Sequence, residues 1–223
     1  MVPAMTEPKR YDHAPRLPED PVVPVSAVLP GDGPLMIEVG PGRGLFTRDY
    51  ATQHPDHRVL ALEIRRKWAT LLDERLAKHR LANARCFAED ANAALPRLGP
   101  DGCARFAAVH FPDPWWKKRH AKRLVVRDTL VSELARLVAE GGTVLVQTDV
   151  EERAEMYLAR FSASACWAPG GDDDGWHAAE SPFAPARSNR EARALEDGLP
   201  VWRIVLRRTA APAARVDAPE EVG

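Results

Sequence analysis

From position 35 onward the chain alternates two hydrophobic patterns. Short apolar runs at 35–37, 58–62, 84–87, 107–111, 143–147 and 201–206 have the length and continuity of strands buried on both faces. The stretches between them, 46–53, 67–78, 91–95, 124–139 and 150–161, carry helical spacing, with apolar residues three and four apart on one face. Trp68, Leu71, Leu72 and Leu76 form one such buried stripe; Leu130, Leu134, Leu137 and Val138 form another, stopped by Gly141 and Gly142. Thr148 and Asp149 stand before the helix at 150, where a side-chain oxygen can accept from the unpaired amides of the first turn. This alternation predicts a Rossmann-like α/β fold, an open and mostly parallel sheet with helices on both faces, whose ligands sit at the strands' carboxyl ends.

The two ends break the pattern. Residues 1–34 hold Pro3, Pro8, Pro15, Pro18, Pro21, Pro24, Pro30 and Pro34, which interrupt helices and remove ladder donors, so this segment reads as a proline-rich irregular arm. Residues 210–223 are small, proline-bearing and acidic at the end, and predict a disordered tail. One domain, 35–209, remains between them. Of 223 residues 45% are hydrophobic and 28% charged, which suffices for one core, and no apolar run approaches the ~18 residues of a membrane span. The first residues lack the apolar stretch of a secretory signal. Cys86, Cys103 and Cys166 are too widely spaced to suggest a disulfide framework or a zinc clip, so a reducing cytoplasm is expected and no metal site is predicted. Thirty-one basic residues against 32 acidic ones exclude nucleic-acid binding through overall charge and leave it to a local patch.

The first candidate chemistry is the segment Ile37-Glu38-Val39-Gly40-Pro41-Gly42-Arg43-Gly44. Gly40, Gly42 and Gly44 follow a strand directly, where a tight turn lets backbone approach a ligand. Position 45 is Leu, so the G-x-G-x-x-G dinucleotide fingerprint is incomplete and a nicotinamide enzyme becomes a minor alternative. Glu38 at the strand end suits a ligand with a cationic group, such as the methionine moiety of S-adenosylmethionine. Glu63 ends the next strand, the place where α/β nucleotide sites put the carboxylate that accepts from both ribose hydroxyls. Asp90 can accept from an adenine amino group or cap the helix at 91. The order acid, glycines, acid points to a nucleoside-type cofactor.

The second is Phe111-Pro112-Asp113-Pro114-Trp115-Trp116-Lys117-Lys118-Arg119-His120-Ala121-Lys122-Arg123-Leu124, where the fourth strand leaves the sheet. Prolines on both sides of Asp113 disfavour helix and can hold its carboxylate at the cleft mouth. Two tryptophans offer faces for base stacking, and Lys117, Lys118, Arg119, Lys122, Arg123 and Arg127 concentrate positive charge in a neutral chain, as phosphate contact requires. The competing reading puts Trp115 and Trp116 in the core and the cations on a solvated helix face.

These residues resemble the tRNA (guanine-N7-)-methyltransferase family, whose hallmark is an FPDPWxKxRHxKRR-type segment; here Leu124 replaces its last Arg. The resemblance extends over about residues 35–209, through the glycine loop, Glu63, Asp90, Thr148-Asp149, Ser188-Asn189-Arg190-Glu191, Gly198 and Val201-Trp202. It implies a class I methyltransferase fold, cofactor contacts by Glu38, Glu63, Asp90 and Asp113, and Asp113 as the catalytic aspartate. Lys117, Asp149, Ser188, Asn189, Arg190 and Glu191 would bind substrate. Lys118, Arg119, Lys122 and Arg123 would meet RNA phosphates. The implied reaction moves a methyl group from S-adenosylmethionine to N7 of a variable-loop guanosine in tRNA, with no obligate protein partner and no membrane. The family's Thr-x-Phe-Glu pattern reads Ser188-Asn189-Arg190-Glu191 here, so Arg replaces an apolar ring. Two alternatives remain: a methyltransferase of the same fold acting on a small molecule or protein, separated by RNA dependence of activity, and a degenerate RNA-binding relative, separated by calorimetry with S-adenosylmethionine.

Overall fold

A computed structural model describes residues 11–112 and 124–213. Its elements are β1 (Val23–Pro24), α1 (Val25–Val28), β2 (Leu35–Val39), α2 (Leu45–Gln53), β3 (Arg58–Leu62), α3 (Arg66–Lys78), β4 (Ala84–Phe87), α4 (Ala91–Ala94), β5 (Leu98–Gly99), β6 (Ala104–His110), α5 (Asp128–Leu137), β7 (Val138–Thr148), α6 (Glu151–Ser162), β8 (Trp167–Pro169), α7 (Asn189–Glu196) and β9 (Trp202–Arg208). Seven strands form one sheet in the order β4-β3-β2-β6-β7-β9-β8, parallel except for β9. The chain runs outward from β2 through β3 to β4, then starts again at β6 beside β2 and runs outward the other way. Loops leaving β2 and β6 therefore diverge and open a crevice at their carboxyl ends.

Alternation along β2 divides the core. Ile37 and Val39 pack with Leu60, Leu62, Val109 and Val146 against α4, α5 and α6, through Ala94, Leu130, Leu134, Tyr157 and Phe161. Met36 faces the other way with Val59, Ala61, Ala108 and Leu145, covered by Phe46, Tyr50, Leu72 and Leu76 from α2 and α3. Each fully buried Val, Leu, Ile, Met or Phe side chain among them contributes about 1.5–3 kcal/mol.

Several sequence expectations change in detail. The segment read as an irregular arm is seated in its described part: β1 pairs with β5, and Leu17, Val23, Val25 and Leu29 join the main core. Proline removes amide donors but not neighbouring apolar side chains, and the carbonyl of Pro15 still accepts from the Ala88 amide at 2.7 Å. At the other end Ala211 and Ala213 pack against the core. Helix α5 stops at Leu137 and Gly141 and Gly142 lie inside β7, so the glycines do not end the helix. The final strand is antiparallel, and β8 and α7 have no counterpart in the apolar pattern, being short or mostly polar. Among the described residues no helix is long and apolar enough to cross a membrane.

Candidate functional site

The glycine loop turns at the end of β2 with positive φ at Gly40, Gly42 and Gly44. Two of these glycines do different work. A Cβ on Gly44 would stand 2.1 Å from the Cδ1 of buried Leu72, so Gly44 lets α2 pack on α3. A Cβ on Gly42 would meet nothing within 4 Å, so the loop's middle faces open space that a ligand can fill. The loop is pinned by the Gly40 amide donating to the Leu62 carbonyl at 3.0 Å and by the Gly42 amide donating to Glu63 Oε2 at 3.0 Å.

Glu63, at the tip of β3, is buried, and its Oε1 accepts from the Arg65 amide at 2.9 Å and from Arg65 Nε at 3.2 Å. One carboxylate thus fixes the glycine loop and the start of α3 together. Asp90 caps α4, its Oδ1 accepting from the Asn92 amide at 2.9 Å. The capping alternative is therefore realised, and Asp90 also borders the cleft. Glu63 and Asp90, with Gly40, Ile64, Asn92 and Phe111, line a cavity of about 550 Å³.

Glu38 lines neither this cavity nor the larger one described next. It is fully buried behind the loop, where Oε2 accepts from the Thr47 hydroxyl at 2.5 Å and Oε1 faces His110 Nε2 at 3.6 Å. Burial pushes its carboxyl up to about 8, against the opposing pull of the Thr47 hydrogen bond. Burial likewise lowers His110 to about 4, and its Nδ1 lies 2.8 Å from Gln147 Oε1. Both shifts favour the neutral forms of the pair. His110 lines both cavities, so Glu38 reaches the cleft through it. The sequence reading passed over His110; its one signal was a titratable residue at the end of an otherwise apolar strand.

A larger cavity of about 1070 Å³ opens on the other side of the same floor. Its walls include Arg43, Trp68, Asp149, Arg153, Ser188, Asn189, Arg190 and Arg193. The turn at 188–191 is the start of a helix: buried Ser188 caps α7 by accepting from the Glu191 amide at 3.1 Å. The serine with an acid three residues on is a capping signature that could have located α7. Asn189 Oδ1 accepts from the Leu45 amide at 3.2 Å, which ties α7 to the first turn of α2. Buried Glu191 holds Arg203 at 2.8 Å and lines neither cavity. Arg190 is ion-paired to Asp149. The expected helix cap at 148–149 takes another form: Thr148 Oγ1 accepts from the Val150 amide at 3.2 Å ahead of α6, and Asp149 turns to Arg190. Trp68, expected in the core with Leu71, Leu72 and Leu76, is half-buried on the cavity wall, as Leu72 and Leu76 occupy the packed face.

The two cavities share Gly40, Arg65, His110, Phe111 and Pro112. Asp113, Trp115, Trp116, Lys117, Lys118, Arg119, Lys122 and Arg123 lie outside the described residues. Their flanks are anchored beside the smaller cavity. The Pro112 carbonyl accepts from the Tyr157 hydroxyl at 2.9 Å, and the Val125 carbonyl from Asn92 Nδ2 at 3.0 Å.

A family model described as a putative methyltransferase matches residues 32–204. A Myxococcus xanthus protein named tRNA (guanine-N(7)-)-methyltransferase is 37% identical over 181 residues, covering 80% of this chain and 85% of that one. A protein of the same name from Thermosynechococcus vestitus is 35% identical over 184 residues, covering 79% and 81%. The chain belongs to the tRNA (guanine-N(7)-)-methyltransferase family. Solved structures resemble this methyltransferase at the level of fold: the 16S rRNA methyltransferase KamB at TM-score 0.57 and 17% identity, covering 83% of this chain and 92% of that one, and the [4+2]-cyclase SpnF at 0.56 and 14%, covering 81% and 76%.

The methyltransferase's cofactor is S-adenosylmethionine, and the smaller cavity fits it. Its volume lies in the range of small-ligand sites, Gly40 brings the backbone of the glycine loop to its wall, and exposed Ile64 beside Glu63 offers an apolar surface to a base. Glu63 retains acceptor capacity for ribose hydroxyls beyond its bonds to Gly42 and Arg65, since two carboxylate oxygens offer about four lone-pair sites.

Proposed function

We propose that this protein methylates N7 of a variable-loop guanosine in tRNA, with cofactor in the smaller cavity and guanosine in the larger. The shared floor of the two cavities carries this reading, because ligands on either side of Phe111 and Pro112 would meet where the chain continues into Asp113. S-adenosylmethionine supplies the electrophilic sulfonium methyl group. Guanine N7 presents a lone pair and no proton, so the protein's task is alignment, with no general base required.

Each residue then has a physical role. Glu63 and the Gly40–Gly44 loop hold the nucleoside end, and Asp90 borders the adenine side. Asp113 orients the base and stabilises the positive charge that moves from sulfur to purine. His110 and Glu38, both neutral, keep the floor beneath that charge free of cations. Asp149, Ser188, Asn189 and Arg190 line the guanosine side and Glu191 holds Arg203 behind it; a guanidinium at 190 can stack on a base where the family has a ring. Lys117, Lys118, Arg119, Lys122 and Arg123 take phosphates. The cytoplasm is the proposed compartment, consistent with three free cysteines.

The test is incubation of unmodified tRNA with methyl-labelled S-adenosylmethionine, followed by mapping of the modified nucleotide. Label at one variable-loop guanosine, abolished when that guanosine is replaced, is the expected result. Label in protein or small molecules, or none in RNA, rejects it.

A further inference from the structure

We propose that Arg43, Lys67 and Trp68 form a second phosphate grip for tRNA, on the glycine-loop wall of the larger cavity. This inference rests on the tRNA reading above and adds contacts to the substrate surface assigned there. Three observations carry it. First, Trp68 lines that wall, and two cations lie over its indole: the Arg43 guanidinium carbon at 5.4 Å and Lys67 Nζ at 5.2 Å from the ring centroid. Cations over an aromatic face are held in place without neutralisation of their charge. Second, neighbouring arginines already have carboxylates: Arg65 meets Glu63, Arg66 meets Asp12, Arg190 meets Asp149 and Arg193 meets Asp197. Among the described residues Arg43 and Lys67 have no carboxylate within 4 Å. Third, Arg75 Nη1 donates to the Arg43 carbonyl at 3.1 Å, which braces the loop that presents Arg43.

Two cations held at one ring without carboxylate partners leave a local excess of positive charge, which an anion would offset. A phosphodiester fits this need, and because Arg43 and Trp68 line the larger cavity the grip would hold a strand beside the target guanosine. The carboxylate of the cofactor's methionine moiety is the other anion within reach of Arg43, and the experiment separates the two.

Arg43→Ala, Lys67→Ala, the double variant and Trp68→Leu are compared with wild type for tRNA binding across a salt series and for S-adenosylmethionine binding by calorimetry. Each alanine should weaken tRNA binding about three- to tenfold at low salt and reduce the slope of log K against log salt by about 1, the double variant by about 2. For Lys67→Ala, which lines neither cavity, the KM for tRNA should rise while kcat and cofactor affinity stay unchanged. Trp68→Leu keeps an apolar side chain at this position of α3 and should weaken tRNA binding with no change of slope, as the cations remain but lose their alignment. A double variant with the wild-type slope overturns the inference alone, as does a tenfold loss of cofactor affinity in Arg43→Ala. A wild-type protein that binds no tRNA overturns this inference together with the functional reading beneath it.

Discussion

The smaller cavity is bordered by carboxylates that accept from backbone amides, Glu63 from Gly42 and Arg65 and Asp90 from Asn92, whereas the larger is bordered by guanidinium groups paired to single carboxylates or stacked on an indole. The first arrangement is rigid: Glu63 cannot move without releasing both the glycine loop and the start of α3. The second is adaptable, because exposed ion pairs are worth about 0–1 kcal/mol and a polyanion can displace them. A small cofactor of fixed shape and a large flexible RNA ask for these two kinds of wall. The comparison also predicts opposite responses to ionic strength, since buried, hydrogen-bonded groups are screened far less than exposed charges.

The sharpest way to break the comparison is within the glycine loop. Gly44→Ala should lose about 2–5 kcal/mol of stability, from its positive φ and the collision with buried Leu72. Gly42→Ala should lose about 1–2 kcal/mol while weakening cofactor binding, because its amide is bonded to Glu63 of the smaller cavity. Chemical denaturation and calorimetry on the two variants check this; equal stability loss would mean that both glycines are structural. Asp113→Asn should lower kcat by about 10²–10³ with unchanged melting temperature, and a purified variant with wild-type turnover would reject its role. Glu63→Ala should weaken S-adenosylmethionine binding about 10- to 100-fold, by an amount that does not vary with salt, whereas wild-type tRNA affinity falls steeply with salt. Titrations of both ligands at two salt concentrations measure the contrast.

The smallest effect is a pH dependence on the floor between the cavities. Between pH 4.5 and about 8 folded Glu38 keeps a proton that the unfolded chain has lost, so stability falls as pH rises. His110 acts oppositely between about 4 and 6.5, where the unfolded chain binds a proton that the folded one lacks. From pH 6.5 to about 8 only Glu38 contributes of the pair. Glu38→Gln should therefore flatten the stability decline in that window, as read by thermal melts at pH 6.5, 7.2 and 8. A variant that declines as steeply as wild type would show that Glu38 is ionised in the fold.

Much of this was legible in the chain. The runs at 58–62 and 84–87 are strands with those bounds, because short continuous apolar segments have no other way to be buried on two faces. Glu63 and Asp90 could be placed at strand ends by counting alone. Trp68 was misplaced because helical spacing says which residues share a face, not how wide the covered stripe is; Leu72 and Leu76 fill the contact and leave the indole at its edge. The arm at 11–34 was underestimated for a related reason. Its prolines are visible locally, while the surface that Leu17, Val23 and Leu29 cover is built by residues far along the chain.

The sequence by itself determined the strand–helix order, the glycine turn with its flanking acids, and the proline-bracketed aspartate with its cations, since each depends on residues close together in the chain. Tertiary structure alone decided that Glu38 faces His110 instead of the cleft, that Asn189 of α7 caps the helix beginning at Leu45, and that Arg43 from the glycine loop reaches the Trp68 indole of α3. A side chain's charge state and partners depend on what packs against it, and that is fixed only when the sheet order brings distant strands and helices into contact.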